Sequence, residues 1–292
     1  MEKNLQAYYV ALGGIRLASQ LLDEDNSLSF DGLGEAWSNN QGLFFDHPLG
    51  EGRFTVRIPN ENMPVSASSP GYGLVDEERK VNVNNADVEI LQNLLKGVGH
   101  LQEGDAEAVA NAIADWRDED EERREGGAED YDYQGLTNAY ESKDAPFESL
   151  EELLLVKGMT PELFKTLSPY LSAHGSGKIN VNTSPPQVLF ALGLSEQGVD
   201  QMVAYRMGED GMEGTGDDHV FSSVASIVSE LNAHLPKEDL NRLTHWVEAN
   251  QLTVRSEAFQ LSIEATAKGM KEPMRVRCIL DRDGKIKEWT EE

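Results

Sequence analysis

Apolar residues recur at helical spacing through the first 22 positions, where Leu5, Tyr8, Tyr9, Leu12, Ile15, Leu21 and Leu22 share one broad face. The pattern predicts a long opening helix, weakened at Gly13-Gly14 by roughly 1 kcal/mol per glycine relative to alanine. Residues 23–50 lose that period. Asp, Gly, Asn and Ser dominate there between the isolated aromatics Phe30, Trp37, Phe44 and Phe45, which predicts an ordered loop. The period then becomes two: residues 53–58 alternate as a strand, and 72–80 read as a second strand ending in a charged turn.

From 81 to 248 the pattern is helical again, with helices predicted over 106–117, 150–155, 161–171, 197–207, 220–231 and 237–250. Several open on Pro or on an acidic first turn. Alternation returns at 252–256, 258–267 and 274–280, and Asp281-Arg-Asp-Gly284 turns the chain into a last strand at 285–289. The expected organisation is a frame built from residues 1–80 and 249–292, interrupted by a helical insertion over 81–248.

One phrase occurs twice inside the insertion. Val81-Asn-Val-Asn-Asn-Ala-Asp-Val-Glu-Ile-Leu returns 98 residues later as Ile179-Asn-Val-Asn-Thr-Ser-Pro-Pro-Gln-Val-Leu. Each copy reads as an extended segment, a cap-like Asn85 or Thr183, and a helix with apolar residues at Ile90, Leu91 and Leu94 or at Val188, Leu189 and Leu192. Asn82, Asn84, Asn180 and Asn182 read as scaffold, fixing neighbouring loops through side-chain hydrogen bonds. Both copies lead through a helix ending in Trp116-Arg117 or Tyr205-Arg206 into an acidic loop.

Composition narrows the partners. The 52 Asp and Glu against 25 Lys and Arg give a formal charge of −27, which repels phosphate backbones and anionic lipid; an acidic surface also serves plain solubility. Cys278 is the single cysteine, so neither an intramolecular disulfide nor a cysteine zinc site can form. The sequence holds no run of about 18 apolar residues and no leader pattern, so the chain as given is expected to be soluble. Leu94-Leu-Lys-Gly-Val-Gly99, and more loosely Leu155-Val-Lys-Gly-Met-Thr160, resemble the hairpin of helix-hairpin-helix modules. A nucleic-acid-binding module is therefore the alternative function, against a tight turn between packed helices. No Gly-x-Ser-x-Gly, Walker or Gly-x-Gly-x-x-Gly pattern is present, and a metal-assisted hydrolase would lack a nucleophile; nothing argues for an enzyme.

The acidic loops carry the candidate chemistry. Asp115-Trp-Arg-Asp-Glu-Asp-Glu-Glu122 is followed by Glu125-Gly-Gly-Ala-Glu-Asp-Tyr-Asp132, and carboxylates this dense need counter-charge. Hard oxygen donors in a loop are what Ca²⁺ takes, six to eight at a time. Asp118, Asp120, Glu129 and Asp130 lead the candidates, and Glu121 and Glu125 complete the set; a solvated acidic loop is the alternative. The second loop, Glu209-Asp-Gly-Met-Glu-Gly-Thr-Gly-Asp-Asp218, offers Asp210, Asp217 and Asp218 for a second ion, or is a plain glycine-rich loop.

Four stretches in order resemble the minor pseudopilin K family of bacterial type II secretion, also called general secretion pathway protein K. They are Gln6-Ala-Tyr-Tyr-Val-Ala-Leu-Gly13; Tyr72-Gly-Leu-Val-Asp-Glu-Glu-Arg-Lys-Val-Asn-Val-Asn84; Ala114-Asp-Trp-Arg-Asp-Glu-Asp120 with Gly127-Ala-Glu-Asp130; and Ser149-Leu-Glu-Glu-Leu with Gly158-Met-Thr and Ile179-Asn-Val-Asn-Thr183. The resemblance spans nearly the whole chain. It implies an α+β fold: a pilin-like N-terminal helix on an antiparallel sheet, carrying a large all-α insertion of SAM-like or helix-hairpin-helix-like character. It also implies a non-enzymatic subunit of the pseudopilus tip, assembling with minor pseudopilins I and J to initiate and cap the pseudopilus that exports folded proteins across the outer membrane. Calcium bound in the helical domain is a further implication, as is periplasmic location with the native form anchored in the inner membrane. The family's prepilin leader and apolar first half-helix have no counterpart here, so the chain is expected to be the soluble periplasmic portion, with Met1 not the native start.

Overall fold

The opening apolar stripe coils into α1 (Glu2–Glu24), which buries Ala7, Val10, Ala11, Gly14, Ile15, Ala18 and Leu22 along one side. In this computed structural model the described residues are 2–24, 29–62 and 71–291; Met1 and the part of the predicted loop at 25–28 lie outside them. The rest of that loop is more regular than its composition suggests. It holds α2 (Gln41–Phe44), capped by the Asn40 side chain, and β1 (His47–Leu49), which pairs antiparallel with β2 (Gly52–Arg57). A three-residue strand is too short for alternation to register, so only its pairing partner defines it. β3 (Val75–Asp76) follows.

The middle of the chain forms β4 (Val81–Asn82), α3 (Val88–Gly97), α4 (Glu103–Arg117), α5 (Asp130–Gln134), α6 (Pro161–Leu167) and β5 (Leu171–Ser172). It then repeats the order with β6 (Ile179–Asn180), α7 (Pro186–Ala191), α8 (Glu196–Arg206), α9 (Ile227–Leu231), α10 (Lys237–Glu248) and β7 (Leu252–Thr253). The chain closes with β8 (Ala258–Thr266), β9 (Met274–Asp281) and β10 (Ile286–Glu291). Two units result: Met1–Glu77 with Ala204–Ser223 and Val254–Glu292, and Glu78–Val203 with Val224–Thr253.

In the first unit the sheet runs β1-β2-β8-β9-β10, antiparallel throughout, with β3 on β8. Its inward rows are Phe54 and Val56, then Phe259, Leu261, Ile263 and Ala265, then Val276, Cys278 and Leu280, and they close against the buried face of α1 with Trp37, Phe44 and Leu74. The fold is thus α+β, a long helix laid on an antiparallel sheet. The approach is close enough that a Cβ on Gly14 would sit 3.1 Å from the Phe54 ring, so the glycine pair that weakens the helix locally also admits the sheet. Asp31 accepts from the Ser256 N–H at 2.6 Å and pairs with buried Arg282, which ties the early loop to this sheet.

In the second unit each repeat opens on a strand that pairs in parallel with the strand closing it: β4 with β5 and β6 with β7. Residues 252–253, expected in the frame, therefore belong to the helical unit, while 204–223 from within the expected insertion belong to the sheet unit. The helix starts also differ from expectation. Asn82 and Asn180 carbonyls first close turns on Ala86 and Ser184, so α3 is capped by Asp87 and α7 starts behind Pro185 rather than at Asn85 and Thr183. The side chains of Asn82 and Asn180 accept from the N–H of Asn84 and Asn182 at 2.8 and 3.0 Å, the same bond in both repeats. The charged turn at 76–80 is buried, not solvated. Glu77 N–H donates to Ala258 within the sheet unit, and Glu78 accepts from Ser176 and Asn180 within the helical unit. Among the described residues no helix is long and apolar enough to cross a membrane.

Candidate metal centre

The acidic loop after α4 stands on an aromatic base. Trp116, on the last turn of the helix, meets Tyr133 edge-on at 5.2 Å, and Tyr133 stacks on Tyr140 at 5.2 Å. Burial pushes the Tyr133 hydroxyl up to about 12, and its oxygen accepts from the Lys157 N–H at 3.3 Å. This base carries the chain from Arg117 into α5.

Two trios of carboxylates form above it. Asp118, Asp120 and Glu129 each bring an oxygen within 4.8 Å of the others, and so do Glu121, Asp130 and Asp144. Among the described residues several of these oxygens have no hydrogen-bond partner: both carboxylate oxygens of Glu129, which is 4% exposed, and the buried Asp118 Oδ1 and Asp144 Oδ1. A buried carboxylate without donors carries a heavy desolvation cost, and native proteins meet it with a hydrogen bond, a paired charge or a metal. Among the described residues the ion pairs of the nearby bases do not include Glu129. Lys157 and Arg123 reach Asp132, at 2.8 and 3.5 Å, and Arg124 bridges Asp115 and Asp118 Oδ2, at 2.6 and 2.5 Å.

The electrostatics follow from this crowding. Burial, then Asp115, Asp118, Glu121 and Asp144, push the Glu129 carboxyl up to about 7. Glu121 is also shifted upward, by desolvation and by Asp130 and Asp144. The donor set is all oxygen and includes buried atoms with no hydrogen-bond partner among the described residues, which fits a hard divalent cation such as Ca²⁺.

Of the predicted ligands, Asp118, Asp120, Glu121, Glu129 and Asp130 are brought together, split between the two trios. Glu125 is in neither; its carbonyl accepts from Asn111 at 2.8 Å, holding the loop from its far side. Asp144 joins instead. It comes 14 positions after Asp130 and holds a left-handed backbone at φ 50°, a conformation Asp tolerates, and no local spacing points to it.

Asp210, Asp217 and Asp218 do not form a trio among the described residues. Asp217 Oδ2 accepts from the N–H of Glu209 and Asp210 at 2.7 and 3.0 Å, and its Oδ1 from Thr215 at 2.8 Å. Asp210 accepts from Met212 and Asp218 from Gly214. Donation from Thr215 and from those backbone groups holds Asp217 below its usual range. The loop satisfies its own carboxylates, and Glu213 pairs with buried Arg206 at 2.7 Å. Of the glycines that suggested a phosphate-binding hairpin, Gly99 is used for packing, since a Cβ there would lie 2.6 Å from the Leu95 carbonyl and 2.9 Å from Leu163, whereas a Cβ on Gly97 would meet nothing within 4 Å.

Residues 71–176, which include both trios, match the family described as Type II secretion system (T2SS), protein K. The Type II secretion system protein K of Pseudomonas aeruginosa is 30% identical over 221 residues, 73% of this chain and 63% of that protein. The protein of the same name in Aeromonas hydrophila is 29% identical over 205 residues, 67% of this chain and 61% of its own length. That of Klebsiella pneumoniae is 28% identical over 264 residues, covering 88% and 74%. The chain thus spans just over three fifths of the first two relatives. Among solved structures, a chain of the GspK-GspI-GspJ complex from the type 2 secretion system of enterotoxigenic Escherichia coli superposes with a TM-score of 0.72 at 18% identity, over 99% of this chain and 96% of that one. At that identity the likeness is one of fold.

Proposed function

We propose, from the premise that residues 71–176 are a type II secretion system protein K domain, that the chain works as the minor pseudopilin K subunit of such a system. The observation that carries the reading is the coincidence of that domain with a fold matched end to end by a chain of the GspK-GspI-GspJ complex. The protein is then a structural component and not an enzyme. Its partners are minor pseudopilins I and J, engaged through α1. It sits in the periplasm, its native form anchored in the inner membrane, and the three subunits initiate the pseudopilus and cap its tip for export of folded proteins. The bulky helical unit blocks addition of a further subunit above it. Co-purification with the I and J proteins of the same genome tests the assembly: a stable ternary complex is expected, and three separately eluting proteins would contradict it. Deleting 82–248 while pseudopilus length and tip position stay normal would refute the cap.

The helical unit, in the same reading, binds calcium. Glu129 supports this most strongly, because its two buried oxygens have no hydrogen-bond partner among the described residues. Asp118, Asp120 and Glu129 hold one ion, and Glu121, Asp130 and Asp144 supply oxygens for a neighbouring one. The ions fasten the long segment between α4 and α6 to its aromatic base, a stabilising role in which binding energy becomes folding energy.

A further inference from the structure

Asp115 belongs to neither trio, yet it is the most buried carboxylate of the loop, with no exposed surface. Its Oδ1 accepts from Arg124 Nη1 at 2.6 Å and its Oδ2 from the Ala128 N–H at 2.9 Å, while the Arg124 N–H lies 3.3 Å away. A Cβ on Gly127 would collide with Asp115 Oδ2, so the loop is drawn tight against this one side chain. Two of the proposed ligands are set by these bonds. Arg124 Nη1 also holds Asp118 Oδ2 at 2.5 Å, which leaves Oδ1 as the oxygen in the trio. Ala128, pinned by its N–H, is followed directly by Glu129.

We propose that Asp115 and Arg124 form a clasp that sets the geometry of the Asp118, Asp120 and Glu129 trio before the cation arrives; the inference rests on the calcium reading above. Arg124 alone would oppose a cation by its charge. Paired with Asp115 it instead fixes Asp118 while its own charge is offset, and partners of this kind, bonded to a ligand but not to the ion, govern affinity through preorganisation. The clasp residues are positioning residues.

Calcium titration of the purified chain by isothermal calorimetry, with melting in chelator alongside, tests this. Asp115→Asn is expected to lower calcium affinity on the order of 10- to 100-fold, the range for substitutions one bond beyond a metal ligand. Arg124→Gln, which leaves the main-chain bonds of Asp115 in place, is expected to lose affinity with little change of melting in chelator, and it carries the test if Asp115→Asn fails to fold. Arg124→Lys, keeping charge without the two-way reach, is expected to fall between wild type and Arg124→Gln. Asp115→Asn and Arg124→Gln both binding within about twofold of a calcium-binding wild type, or Arg124→Gln alone doing so if Asp115→Asn fails to fold, would overturn the clasp and leave the site standing. A wild type that takes up no calcium would overturn both.

Discussion

After α4, Asp118, Asp120 and Glu129 crowd their oxygens within 4.8 Å while two of them keep buried oxygens without a donor. After α8, Asp217 takes donations from Glu209, Asp210 and Thr215, and Asp210 and Asp218 accept from the loop's own N–H groups. The two loops follow corresponding helices and look alike in composition. They differ in what completes them. Glycines at left-handed φ in the second loop, Gly208, Gly211 and Gly214, turn the backbone so that its N–H groups meet the carboxylates. In the first loop main-chain N–H groups reach Asp115, Asp120 and Asp130, but both oxygens of Glu129 and one of Asp118 have no hydrogen-bond partner among the described residues. Acidic density alone therefore does not separate the two loops; the unmet hydrogen-bonding demand does.

The largest effect that tests this contrast is chelation. At calcium a thousandfold above its dissociation constant, linkage supplies about 4 kcal/mol, so EGTA is expected to lower the melting temperature by roughly 10 °C. Glu129→Gln should remove the part of that dependence carried by the Asp118, Asp120 and Glu129 trio, and Asp217→Ala should leave all of it intact. A chelator shift of undiminished size in Glu129→Gln would place the ion elsewhere.

Acidity should erase the same gap. The Glu129 carboxyl rises from 4.5 unfolded to about 7 folded. Without calcium the folded state therefore holds a proton the unfolded state has released, and this group's contribution to stability falls as pH rises from about 4.5 to 7. Calcium requires the deprotonated form, so its stabilisation grows over that window and is small at its lower end. Melting curves against pH in calcium and in chelator should diverge above about 4.5; parallel curves would contradict the assignment.

Asp217→Ala is expected to cost about 1–3 kcal/mol by stranding the N–H groups it accepts, equally with and without calcium. A calcium-dependent cost would mean that the second loop also holds an ion. Glu125→Gln, outside both trios, should change neither melting nor calcium affinity by more than about 0.5 kcal/mol.

The α+β architecture was legible because period two and period 3.6 carry over whole elements: α1 buries one stripe, β8 buries alternate residues from Phe259 to Ala265, and the duplicated Asn phrase marked both repeats. What escaped was set by tertiary pairing. β1 exists through β2, and Leu252–Thr253 joins Ile179–Asn180 across 73 positions of sequence. The burial of the charged turn at 76–80 left no local trace, because a partner such as the Ser176 N–H that Glu78 accepts from lies far along the chain. The same holds at the site, where Asp118, Asp120 and Glu129 fall in one acidic run but Asp144 reaches the second trio only through the folding of 131–143.

The Glu129 carboxylate, buried and without a hydrogen-bond partner among the described residues, is the group on which the proposed cation depends most. Calorimetric titration of calcium into the metal-free wild type and into Glu129→Gln tests it most directly. Saturable binding in the wild type that is lost at the Asp118, Asp120 and Glu129 trio in the variant is the expected result; equal binding by the two proteins, or none by either, would contradict it.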